Sequence, residues 1–94
     1  MTEYKWDESK NQKNIKERSL SFDTAKHIWL GEVIQTQDIR KNYGEDRYIA
    51  IGEVDSVVLV VVYTWRGTNR RIISARKAND AERQRYHQAV SRRS

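Results

Sequence analysis

Ninety-four residues without a cysteine suffice for one small domain and exclude a disulfide framework or a thiolate metal centre. The longest apolar run, Val57 to Tyr63, is too short to cross a bilayer as a helix, and the N-terminus lacks a signal-peptide core, so a cytoplasmic chain with no membrane partner is expected. The net charge of +5 is lopsided, since residues 66–94 hold nine Lys/Arg against two acids and residues 1–65 hold nine against eleven. A basic field confined to the last third draws in nucleic acid or an acidic partner, or simply keeps a surface solvated.

Tyr4 to Trp6 reads as a short first strand. Asp7 is a fitting N-cap for a polar helix running to Arg18, with Glu8 in the first turn, where the helix dipole favours an acid. Only Trp6 and Ile15 are clearly apolar there, so this helix needs tertiary support. Ser21 caps a second helix whose Phe22, Ala25, Ile28 and Trp29 share a face, and Gly31 is expected to end it in a left-handed conformation. From Val33 the period changes to two. Strands are predicted over Val33 to Gln37, Arg47 to Val54, Val57 to Trp65 and Arg70 to Lys77. A polar loop (Asp38 to Asp46) and turns at Asp55-Ser56 and at Arg66 to Asn69 connect them. Short turns between consecutive strands make an antiparallel meander. The apolar run from Val57 to Val62 predicts a central strand buried on both faces. Asn79-Asp80-Ala81-Glu82 resembles a capping box and starts a last helix to about Val90, after which Ser91 to Ser94 should fray. The expected architecture is α+β: a short first strand and two N-terminal helices packed on an antiparallel meander sheet, with a C-terminal helix.

Two histidines, His27 and His87, lie on different helices without a second ligand at metal spacing, so neither a metal nor a cofactor is expected. No glycine-rich phosphate loop is present. The last strand is more telling. Regular alternation would place Arg70, Ile72, Ser74 and Arg76 on one face and Arg71, Ile73 and Ala75 on the other. Serine and arginines make a poor core but a good floor for a phosphate, because a guanidinium offers a fixed fork of donors. Arg66 and Arg71 flank the preceding turn and could close on the same anion, or be ordinary edge charges. Glu45-Asp46-Arg47-Tyr48 combines a carboxylate, an arginine and a phenol that could move protons, or be an ion pair beside a core-edge tyrosine. Tyr63 and Trp65 share a strand face, where they stack on bases if exposed and fill core if buried.

These residues resemble a known family. Trp6-Asp7-Glu8-x-Lys10, Asn14-x-Lys16 and Ser21-Phe22-x-x-Ala25 look like the opening of BrnT-type toxins. Tyr43-Gly44-Glu45-x-Arg47-Tyr48-Ile49-Ala50-Ile51-Gly52 is similar to the family's central hairpin. Val61-Val62-Tyr63-Thr64, Arg71-Ile72-Ile73-Ser74-Ala75-Arg76-Lys77-Ala78, Glu82-Arg83 and Tyr86 follow in order, so residues 1–94 read as a single BrnT-like domain. The resemblance implies a RelE-like ribonuclease fold and RNA cleavage that arrests growth, with messenger RNA the expected target, free or on the ribosome. It also implies a ribbon-helix-helix antitoxin as partner, through which the complex meets its operator DNA. Two positions depart from the family pattern: Glu17 stands where a histidine is usual, and Trp65 where an acid follows Tyr-Thr.

Metal-independent cleavage by the ribose 2′-hydroxyl needs charge stabilisation at the phosphate, a base and an acid. Arg76 and Arg71 are the expected phosphate ligands, with Arg47 and Arg66 in support. Glu45, Tyr48, Lys16 and Glu82 are the candidate proton carriers. Lys10, Lys16, Arg70, Ser74, Lys77 and Arg83 complete the expected RNA contacts. The alternative is a RelE-fold protein without catalysis, serving only as antitoxin partner or basic RNA-binding module.

Overall fold

The computed structural model describes residues 2–93. Strand β1 (Tyr4–Trp6) leads into helix α1 (Glu8–Arg18), helix α2 (Phe22–Ala25) and a 3-10 helix (Lys26–Leu30). Strands β2 (Ile34–Asp38), β3 (Arg47–Val54), β4 (Val57–Arg66) and β5 (Asn69–Lys77) follow, then helix α3 (Asp80–Arg93). The sheet order is β1-β5-β4-β3-β2. Strands β2 to β5 form the expected antiparallel meander, but β1 joins β5 in parallel, so the five-stranded sheet is mixed. A parallel pair needs a long connection, and everything between Trp6 and Asn69 supplies it.

Helix α1 begins as the sequence predicts. Asp7 caps it by accepting from the N–H groups of Ser9 and Lys10, and Ser19 ends it in the left-handed conformation, with φ of 55°. Its docking face is polar. Ile15 is exposed, and the buried residues are Asn11 and Asn14. Asn11 accepts the Phe22 N–H at 2.9 Å, and Asn14 donates to the Leu20 carbonyl at 2.8 Å while its Oδ1 faces the Ala75 N–H at 3.5 Å. Two amides thus hold the helix by satisfying buried backbone groups, a role usually filled by apolar burial.

Ser21 caps α2 through the Thr24 N–H, as predicted. The helix then tightens into a 3-10 turn, whose three-residue period suits Phe22, Ala25 and Ile28, all fully buried. Gly31 does follow the last turn, but in extended conformation rather than left-handed, so the stop comes from the 3-10 geometry. Glycine is needed at Gly52 instead, where an added Cβ would lie 2.7 Å from the Ile28 Cβ.

Strand β4 is central and covered on both faces. Leu59, Val61 and Tyr63 join the core under α2, and Val58 and Val60 join a second, smaller core with Ile51, Ala78 and Tyr86. The β3–β4 hairpin turns on Asp55 and Ser56, both with positive φ, which matches a two-residue turn to the sheet twist. Helix α3 runs past Val90 to Arg93, because Arg93 donates to Glu32 and to the Val33 carbonyl; Ser91 to Arg93 are therefore helical, and Ser94 lies outside the described residues. Among the described residues, no helix is long and apolar enough to cross a membrane.

Candidate functional site

The side chains of β5 do not alternate as its sequence predicts. Tyr63 pairs with Ile72 but Val62 pairs with Ser74, so a β-bulge leaves Ile73 without a partner on β4. The extra residue reverses the faces that follow it. Ile72 and Ala75 both enter the core under α2, whereas Ser74 and Arg76 face the other side. Arg70 is thereby separated from Ser74 and Arg76. Its guanidinium lies 4.6 Å from the ring centroids of both Trp29 and Trp65, and its buried Nε has no hydrogen-bond partner among the described residues. Arg70 is thus packed in an aromatic cluster, with Tyr63 at 5.4 Å as the third ring.

Ser74 and Arg76 open into a groove of about 400 Å³ between the sheet and the start of α3. Its floor is apolar (Ile34, Ile49, Ile51, Val60 and Val62), and its rim carries Arg18, Arg40, Arg76, Arg85 and one acid, Glu82. Arg18 and Ser74 also line a smaller depression against α1, where Lys10, Lys13 and Glu17 lie. The two depressions therefore share a wall and form one basic tract. Two of the rim arginines have partners. Arg40 clamps Asp38 with two 2.9 Å bonds, and this guanidinium holds the buried carboxyl well below the usual carboxylate range. Arg76 pairs Glu82 through both Nη atoms, at 2.7 and 2.8 Å. Arg18 donates to the Ala75 carbonyl at 3.3 Å, and neither Arg18 nor Arg85 has an ion pair among the described residues.

Glu82 is strongly perturbed. The Arg76 hydrogen bonds, the Asn79 N–H and the Arg76 charge pull it from 4.5 to about 2, against the opposing effect of burial. A carboxylate this acidic is a poor base near neutrality. It also ties stability to pH. Because the folded value is the lower one, the stabilisation is full above about pH 4.5 and is lost as pH falls through about 2. Thermal melts of the wild type and Glu82→Gln across that window should show a shallower acid loss in the variant.

The other predicted residues lie elsewhere. Glu45 pairs with Arg47 at 3.3 Å and with Arg66 at 3.4 Å, and Tyr48 packs on Tyr63 with ring centroids 5.6 Å apart. Glu45, Tyr48, Trp65 and Arg66 share a shallow depression at the far end of the β3–β4 pair. Arg76 pairs with Val60, so Arg66 lies six residues along β4, roughly 20 Å away. Arg71 lies between Lys5 of β1 and Thr64 of β4, and Arg83 pairs with Asp80. Lys16 and Lys77 are exposed and line neither depression of the tract. Arg18, Arg40, Arg85, Lys13 and Glu17 were not singled out as ligands from the sequence. Helical spacing carries part of that signal, since Lys10, Asn14, Glu17 and Arg18 share a side of α1, and Glu82 and Arg85 are three apart on α3.

Residues 6–82 match the family described as the ribonuclease toxin BrnT of type II toxin–antitoxin systems. The chain belongs to the BrnT family. Its structure is similar to the crystal structure of the Brucella abortus ribonuclease toxin BrnT, with a TM-score of 0.64 and 27% identity over 85% of this chain and 100% of that one. No curated protein matches the chain. The BrnT match takes in every groove residue named here except Arg85. A type II system implies a protein antitoxin as partner of a BrnT chain.

Proposed function

We propose that this chain is a cytoplasmic, metal-independent endoribonuclease of RelE-like fold, its 94 residues acting as one toxin domain. It cleaves RNA, messenger RNA above all, to arrest growth, and a ribbon-helix-helix antitoxin neutralises it. The observation that supports this reading is the groove itself, in which Ser74 and Arg76 meet three further arginines beside the Lys10 depression. Arg76 contacts the scissile phosphate, with Arg18, Arg85 and Ser74 beside it. Concentrated positive charge at a partly enclosed surface stabilises the extra charge that develops on a phosphate during in-line attack. Glu17 stands in the same tract and takes the proton of the 2′-hydroxyl, while Lys10 and Lys13 hold the strand. Arg47, Arg66, Arg71 and Tyr48 lie along the sheet and meet flanking RNA.

As the 2′-oxygen bonds to phosphorus the P–O5′ bond breaks, and the leaving 5′-oxygen takes a proton from water in the open groove, so the products are a 2′,3′-cyclic phosphate and a 5′-hydroxyl end. The direct test incubates purified protein with single-stranded RNA in excess chelator and examines the new ends. Cyclic-phosphate 3′-ends formed at an undiminished rate are the expected result. Binding that weakens with salt but yields no new ends would mean a non-catalytic RNA-binding protein, since salt dependence alone is common to both.

A further inference from the structure

We propose that Glu82 is a positioning residue for RNA cleavage, presenting the free edge of the Arg76 guanidinium to the phosphate. This rests on the reading that Arg76 is the phosphate ligand. A guanidinium has five N–H donors. In Arg76, Nη1 donates to Glu82 Oε1 at 2.7 Å and to the Lys77 carbonyl at 3.3 Å, and Nη2 donates to Glu82 Oε2 at 2.8 Å. Glu82 thus occupies the end of the fork. Among the described residues, what remains is the N–H of Nε and the second N–H of Nη2, which lie side by side on one edge. Two parallel donors are what a phosphate accepts in bidentate fashion. The phosphate can therefore bind while the Glu82 pair stays intact.

Glu82 is itself held in place. Its Oε1 accepts the Asn79 N–H at 2.9 Å, and Asn79 Oδ1 accepts the Glu82 N–H at 2.8 Å, closing a capping box at the start of α3. The preceding Ala78 donates its N–H to the Val58 carbonyl at 2.9 Å, which ties this turn to β4. Farther along α3, the buried Tyr86 donates to the Glu32 carbonyl at 2.8 Å. The exposures agree with this division, with the Glu82 side chain 15% exposed and that of Arg76 43% exposed. A charge that merely neutralised Arg76 would not need the second bond or the cap.

Glu82→Gln tests the idea, because its amide oxygen can still cap Asn79 but cannot accept from both Nη atoms. Cleavage is measured with purified protein on single-stranded RNA, each variant well below its own melting temperature. The expected result is a kcat about tenfold or more lower, with KM changed less than about threefold. In an Arg76→Lys background, which has no fork to orient, Glu82→Gln should change kcat less than about twofold. An NMR spectrum of the arginine side chains gives a readout without RNA: slowed rotation about the Arg76 Cζ–Nη bonds in the wild type, lost in the variant. Should Glu82→Gln not fold, Glu82→Asp, which keeps the charge but shortens its reach, is compared in the same way. A wild-type kcat in the Glu82 variant while Arg76→Ala is inactive would overturn the proposal. So would an equal loss in the Arg76→Lys background. Full activity in Arg76→Ala would instead overturn the underlying assignment of Arg76.

Discussion

Arg76→Ala should lower RNA cleavage about 10²–10³-fold, the usual cost of removing one donor aimed at developing charge. In bacteria the wild type, expressed without antitoxin, should arrest growth and produce new RNA 5′-ends, and the variant at matched soluble level should do neither. Arg76 lines the groove beside Ser74, and among the described residues it keeps two donors free beyond its bonds to Glu82 and Lys77. Arg76→Lys preserves the charge but offers no planar fork, so it should retain only part of the activity. Loss of Arg76 also leaves the mostly buried Glu82 carboxylate without its partner, so melting curves must accompany the activity. Arrest that persists in a well-folded Arg76→Ala variant would place the chemistry elsewhere on the basic tract.

Phe22→Ala should have the largest effect on stability, a loss of about 3–5 kcal/mol. Phe22 is fully buried at the junction of α1, α2 and the sheet, with Trp6 meeting its ring edge-on at a centroid distance of 6.2 Å. Its backbone N–H is also the donor to Asn11, so the cavity would open beside the bond that docks α1. A domain of this size has about 5–15 kcal/mol in total, so the substitution removes a large share of it. The melting temperature should fall by roughly 15–30 °C, checked by calorimetry or circular dichroism. A fall of only a few degrees would show that the surrounding side chains close the space.

Much of the architecture is legible because it is local. Asp7, Ser21 and Asn79 cap their helices as their side chains require, and Leu59 and Val61 enter one core while Val58 and Val60 enter the other, as the alternation of a strand dictates. Val57 to Val62 announces a central strand because only a strand covered on both faces can afford six apolar residues in a row. The candidate groove was legible in part, since Ser74 and Arg76 line it together and Lys10 lines the depression that shares Ser74. Arg70 was misplaced because alternation assumes that every residue has a partner, and Ile73 has none on β4. Arg40 was invisible because it stands in an irregular loop, where no period predicts a direction.

Helices, meander and a basic last third can be read along the chain, since caps, periodicity and composition act over a few residues at a time. Long-range packing, in contrast, lays β1 parallel to β5 and docks α1 through two asparagines. The same packing brings Arg18, Arg40, Arg76 and Arg85 around one groove. These depend on register between segments far apart in the chain, and in a sheet a slip of one residue turns a side chain to the opposite face.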